Sequence, residues 1–176
     1  MSTITVTKMD AARRQLRTAI DLWADDAEPV SIHTLAYSAH KIVHDLNRKK
    51  NGPRMLLDMP NIRKDRRSEF ANMIARDANF FKHADGRKYK DQDSIEFTPA
   101  LNDMFIMVTI AGLSFLDQRL SEHEQGFLLW YRLHYPDMLE EEPGTDLQSM
   151  LSPETRQAYL KLPKREFLNA SRGLVN

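Results

Sequence analysis

Ser31-Ile32-His33-Thr34-Leu35-Ala36-Tyr37-Ser38-Ala39-His40-Lys41-Ile42-Val43-His44-Asp45-Leu46 carries two periodic patterns on one segment. Ile32, Leu35, Ala36, Ala39, Ile42, Val43 and Leu46 recur at steps of three and four, which puts them on one apolar stripe of an α-helix opening near Ser31. Arg48, Lys49 and Lys50 suit the carbonyl end of that helix, and Asn51-Gly52-Pro53 stops it. On the same wheel His33, Tyr37, His40 and His44 fall within about 60° of one another, in a direction about 130° from the apolar stripe. The spacing predicts a second face, separate from the core. Its two uses would be an interface with another protein or a divalent-metal site, since His40 and His44 stand one turn apart. No Glu-x-x-His or His-Glu-x-x-His pattern adds further ligands.

The same period recurs outward along the chain. Met9, Ala12, Leu16, Ile20 and Trp23 define a helix over 8–24, ended by Asp25, Asp26 and Pro29. Residues 54–60 read as a turn or short helix. A third helix is expected over about 62–81, with Phe70, Met73 and Ile74 inward and Arg63, Lys64, Arg66 and Arg67 outward. Asp85-Gly86 ends it, and the polar stretch 87–96 reads as an exposed loop, with a short extended piece at Ile95 to Phe97.

Thr98-Pro99 has the form of a helix start, a hydroxyl cap followed by proline. The segment it opens is almost continuously apolar from Met104 to Leu116 and falls short of the about 20 residues a bilayer span needs, so it reads as the buried hub of a bundle. Gly112 reads either as the mark of a close helix crossing or as an isolated glycine that weakens the helix by about 1 kcal/mol relative to alanine. Ser121-Glu122-His123-Glu124 is a capping box opening a helix with Phe127, Leu128, Trp130 and Tyr131, which stops at Pro136. Residues 137–150, with Glu140 to Glu142, read as an acidic connection. Ser152-Pro153 and Pro163 each start a short helix, and Gly173 closes the second. No strand alternation or fixed repeat emerges. The expected fold is all-α, one domain over 1–176, with about five principal helices and two short C-terminal ones.

Composition narrows the chemistry. The chain has 176 residues with 25 Lys plus Arg against 25 Asp plus Glu, and no cysteine. Charge balance argues against a protein coated in nucleic acid, although basic residues gather at 13–17, 48–54 and 63–67. Without cysteine there is no disulfide, thiolate metal site or thiol nucleophile. Phosphate-loop, dinucleotide, nucleophile-elbow and EF-hand signatures are also missing, so no cofactor is expected. The first ten residues lack the pattern of a secretory signal, which gives a cytoplasmic location and no membrane association as expectations.

What remains is histidine, arginine, carboxylates and hydroxyls. Arg76-Asp77-Ala78-Asn79-Phe80-Phe81-Lys82-His83 places an arginine and a histidine six residues apart in the intervening count, at the end of a helix with a basic start. This arrangement resembles the Arg-x(4 to 6)-His motif of the HEPN superfamily, small all-α domains, and Asp77 after the arginine matches a common form of it. The resemblance covers about ten residues and the helical class. It implies a metal-independent ribonuclease site, often doubled across a homodimer, or, in members without catalysis, nucleotide binding or protein interaction.

Chemically, histidine titrates near pH 6.5 and so can take a proton from a ribose 2′-hydroxyl or give one to a leaving oxygen. Arginine offers planar donors to a phosphate whose charge grows in the transition state. Under the resemblance His83 is the proton carrier and Arg76 the phosphate clamp. Asp77 and Asn79 assist, and Lys82, Arg63, Arg66 and Arg67 contact phosphate. Arg76 and His83 are two helical turns apart, about 10.5 Å at about 1.5 Å per residue, which favours a site completed by a second copy of the chain. The competing expectation is a non-enzymatic interaction domain using the His33, Tyr37, His40 and His44 face.

Overall fold

The computed structural model of the chain describes residues 2–58, 63–83, 93–116, 118–138 and 151–172. Among them are seven α-helices and no β-strand: α1 (Lys8–Ala24), α2 (Pro29–Lys49), α3 (Arg67–Lys82), α4 (Leu101–Phe115), α5 (Glu122–His134), α6 (Pro153–Leu160) and α7 (Lys164–Ser171). The class is all-α, five longer helices followed by two short ones. No helix among these residues is long and apolar enough to cross a membrane.

Local chemistry explains most boundaries. At the start of α1, Thr7 Oγ1 accepts the Asp10 amide at 3.0 Å while Asp10 Oδ2 accepts the Thr7 amide at 3.1 Å, a capping box. Ser121 and Glu124 repeat it at α5. Pro29 opens α2 rather than merely ending α1: it sits in the first turn, and the Glu28 carboxylate accepts the Val30 and Ser31 amides, which holds its pKa below the usual carboxylate value. Thr98-Pro99 makes the turn before α4 instead of its cap. Their carbonyls accept the Leu101 and Asn102 amides, and Ala100 occupies the cap position without a side-chain bond.

α2 is the central rod. It packs along α1 on one side and α4 on another, with α3 alongside, and α5 and α7 close the far end against α1. Trp23 forms edge contacts with Phe127 at 4.7 Å and Trp130 at 4.5 Å, so the Trp130, Tyr131 and Tyr135 group belongs to the core where α1 meets α5.

α3 differs from the expected helix. A 3-10 turn, Lys64–Arg66, leads into it, and the inward positions are Asp77 and Ala78, with Phe70, Ile74 and Phe81 half-buried. Met73, expected inside, is 58% exposed because the apolar wedge is centred nearer to Ile74 and Phe81, about 100° further round. Residues 94–98 are coil rather than strand. The expected Asp85-Gly86 stop, the loop at 87–92, the acidic run Glu140 to Glu142 and Gly173 lie outside the described residues.

Gly112 does mark a close crossing. A Cβ at this position would stand 2.7 Å from Val43 Cγ1 and closer still to the end of Met55. Gly112→Ala gains up to about 1 kcal/mol of helix propensity but forces overpacking worth about 1–3 kcal/mol. The Met55 tip can swing aside; Val43, β-branched on a packed helix, cannot. A net loss of about 1 kcal/mol is expected, read as a lower urea midpoint at unchanged slope.

Candidate functional site

The end of α3 gathers the residues singled out by sequence. Asp77 faces inward and is nearly inaccessible, so its carboxylate requires a partner. Arg76 supplies one: its Nε–H donates to Asp77 Oδ1 at 2.8 Å, and Nη2–H donates to the Glu96 carbonyl at 3.1 Å. The guanidinium, 46% exposed, is thereby held between α3 and the chain entering α4. Its other N–H groups are uncommitted among the described residues.

Lys82 projects from the last turn of α3 towards α2. Nζ donates to Ser38 Oγ at 3.0 Å and stands 5.3 Å from the centre of the Tyr37 ring. Partial burial lowers its pKa from the ordinary lysine value. His83 leaves the helix in extended conformation, its amide bonded to the Asn79 carbonyl at 3.2 Å, and is exposed. The side chains of Arg76 and His83 are joined by no hydrogen bond, as expected for groups two turns apart. Asn79 is also exposed. Of the basic start, Arg63 pairs with Asp65 and Arg66 with Glu69, both on the surface, while Arg67 is half-buried.

The histidine face is corrected by the structure. His33 and His40 are fully buried, and His44 and Tyr37 nearly so. The helical wheel placed them opposite the apolar stripe correctly; what it omitted is that α3, α4 and the short turn Leu56–Asp58 cover that side as α1 covers the other. They line the chain's own core rather than a surface open to a partner. His33 sits among Phe81, Phe97 and Phe105 with ring centres 5.0 to 5.8 Å away. Its Nδ1 lies 3.0 Å from Asn102 Oδ1, and Asn102 Nδ2 donates to the Pro29 carbonyl, which assigns the proton to Nδ1. His44 lies between Asp45, 3.3 Å from Nδ1, and Asp58, 3.1 Å from Nε2.

Among the described residues no hydrogen-bond partner meets either ring nitrogen of His40, and burial pushes its pKa down to about 4. Burial likewise lowers that of His33. Among the described residues no group of three or more His, Asp or Glu side chains is arranged to hold a metal. The His40 and His44 ring centres are 6.4 Å apart. With Zn–N bonds of about 2.0 Å, two imidazoles at a tetrahedral angle have centres about 5.2 Å apart. Zinc added to the protein is therefore expected to leave its melting temperature and tryptophan fluorescence unchanged, whereas a real site would add about 2.7 kcal/mol at 100 times Kd.

Sequence reasoning missed Ser38, Glu96 and Phe97, which meet α3 only through the tertiary fold. It also passed over Asp103, on whose carboxylate Trp23 and Tyr135 converge.

No known protein family matches the chain, and no curated protein or solved structure gives a match. The site is read from its own residues.

Proposed function

We propose that the chain is a HEPN-like domain that binds RNA or a nucleotide at the end of α3 and cleaves RNA without metal. The observation that carries this reading is a half-exposed guanidinium anchored by buried Asp77 on the same helix that an exposed His83 ends. His83 takes the proton from a ribose 2′-hydroxyl. The freed oxygen attacks phosphorus, the P–O5′ bond breaks, and O5′ leaves with the proton that the His83 imidazolium gives back, producing a 2′,3′-cyclic phosphate and a 5′-hydroxyl and restoring neutral His83. Arg76 receives the phosphate charge, Asp77 positions it, and Lys82 and Asn79 flank the site, with Arg63, Arg66 and Arg67 guiding the backbone. Since Arg76 and His83 stand seven residues apart, with His83 just past the end of α3, a homodimer supplies the complementary half-site. Arg76 is already ion-paired with Asp77 and Lys82 already donates to the Ser38 hydroxyl, which supports a second reading: a non-catalytic helical interaction domain. The two separate on incubation with single-stranded RNA in excess EDTA, alongside a measurement of oligomeric mass. The first reading requires cyclic-phosphate products from wild type and none from His83→Ala; intact RNA with wild type favours the second.

A further inference from the structure

A pocket of about 290 Å³ opens away from α3, where the end of α1, the start of α2, the start of α4 and the start of α7 meet. Pro29, Ile32 and Pro99 give it apolar walls, its charged groups are Asp26, Asp103 and Lys164, and Asn102 also lines it. Asp103 is half-buried and uses both oxygens inward: Oδ1 accepts the Trp23 indole N–H at 2.8 Å and Oδ2 accepts the Tyr135 hydroxyl at 2.9 Å. Both donors are neutral. No Lys or Arg among the described residues lies within ion-pair distance of Asp103; burial raises its pKa above the ordinary carboxylate value, and the two hydrogen bonds, with Lys164 and His134 at longer range, offset part of the rise.

The pocket already shows how it treats a cation. Lys164 Nζ stands 4.9 Å from the centre of the Trp23 ring and pairs with Asp26 Oδ1 at 2.7 Å. Asp26 follows the C-cap of α1 in the left-handed region, φ 48°, while the Ala27 amide bonds back to the Leu22 carbonyl. Aspartate is one of the few residues besides glycine that visit this region, and the Asp26 side chain meets Lys164 from there. Two carboxylates and one resident ammonium leave the pocket one positive charge short.

We propose that this pocket binds a small organic cation, a primary ammonium on a short apolar tail, with the ammonium on Asp103 beside the Trp23 ring and the tail along Pro29, Ile32 and Pro99. The ligand brings Asp103 a cation at contact distance, where Lys164 acts on it only from further off. Lys164 repels the ligand weakly and sets its affinity.

The Trp23 indole N–H reports on Asp103 directly, so the test is a titration of the protein's indole ¹⁵N–¹H resonances with n-butylammonium chloride. Concentrations reach about 50 mM, well past a Kd of about 1 mM, with n-butanol and potassium chloride as controls. A saturable shift with butylammonium alone is expected, lost in Asp103→Asn, which keeps an acceptor for Trp23. In Lys164→Gln the affinity is expected to rise roughly tenfold, the effect of removing one nearby like charge. The proposal is overturned by no saturable shift, by an equal shift with butanol, or by a shift that survives in folded Asp103→Asn. Should Asp103→Asn not fold, Lys164→Gln decides: tighter binding supports the site, and unchanged or weaker binding overturns it.

Discussion

His83→Ala is expected to lower metal-free RNA cleavage by about 100-fold or more while leaving the fold intact. A positioned general acid or base contributes about 10²–10⁴-fold. His83 is exposed and beyond the last turn of α3, so its truncation removes no core contact and its backbone bond to Asn79 remains. Helical content and urea midpoint should match wild type. Arg76 requires a different design, because Arg76→Ala strands the buried Asp77 carboxylate and mixes loss of function with loss of stability. Arg76→Lys keeps a cation for Asp77 and removes the planar fork. Its expected signature is a loss of cleavage of at least about tenfold with little change in melting temperature. Equal cleavage by wild type and His83→Ala, both in EDTA, would remove His83 from the chemistry.

The sequence displayed the fold through features that depend on neighbours in the chain. The Ile32-to-Leu46 stripe and the Ser121–Glu124 box rest on spacings of one helical turn, and each stands as expected. The Thr7–Asp10 box carried the same signal in a Thr-x-x-Asp spacing. The failures share a cause. The His33, His40 and His44 face and Met73 were assigned from one helix at a time, whereas burial depends on how many helices surround it. A central helix has two inner faces, and a wheel with one apolar centroid shows only the richer. The second face of α2 carries three imidazoles and a tyrosine because Phe81, Phe97 and Phe105 pack onto rings as readily as onto aliphatic chains. Ser38 beside Lys82 had no sequence signal, being 44 residues away.

Burying that face makes stability depend on acid, the second large effect expected here. His40 has an ordinary pKa of 6.5 in the unfolded chain and about 4 in the folded one. The neutral ring is fully accommodated above pH 6.5; as pH falls from 6.5 towards 4, the unfolded chain binds a proton the folded chain refuses, and stability drops by about 1.36 kcal/mol per pH unit. The loss over the window is about 3 kcal/mol. His44 and Lys41 on α2 oppose the extra charge, and Asp58 on the neighbouring turn offsets part of it. His33 adds to the loss with the same sign, whereas Asp103, with its raised pKa, contributes the opposite sign. Asp45 and Asp58, held below 3.8, lose their contributions only under this window. Urea unfolding at about pH 7.5 and about pH 4.5 isolates the term when wild type is compared with His40→Leu. The leucine fills a similar volume and removes two unpartnered nitrogens, so at pH about 7.5 it should be at least as stable as wild type. At pH about 4.5 it should be more stable by about 2–3 kcal/mol. Parallel losses in the two proteins would show that the acid sensitivity lies elsewhere than in the His40 imidazole.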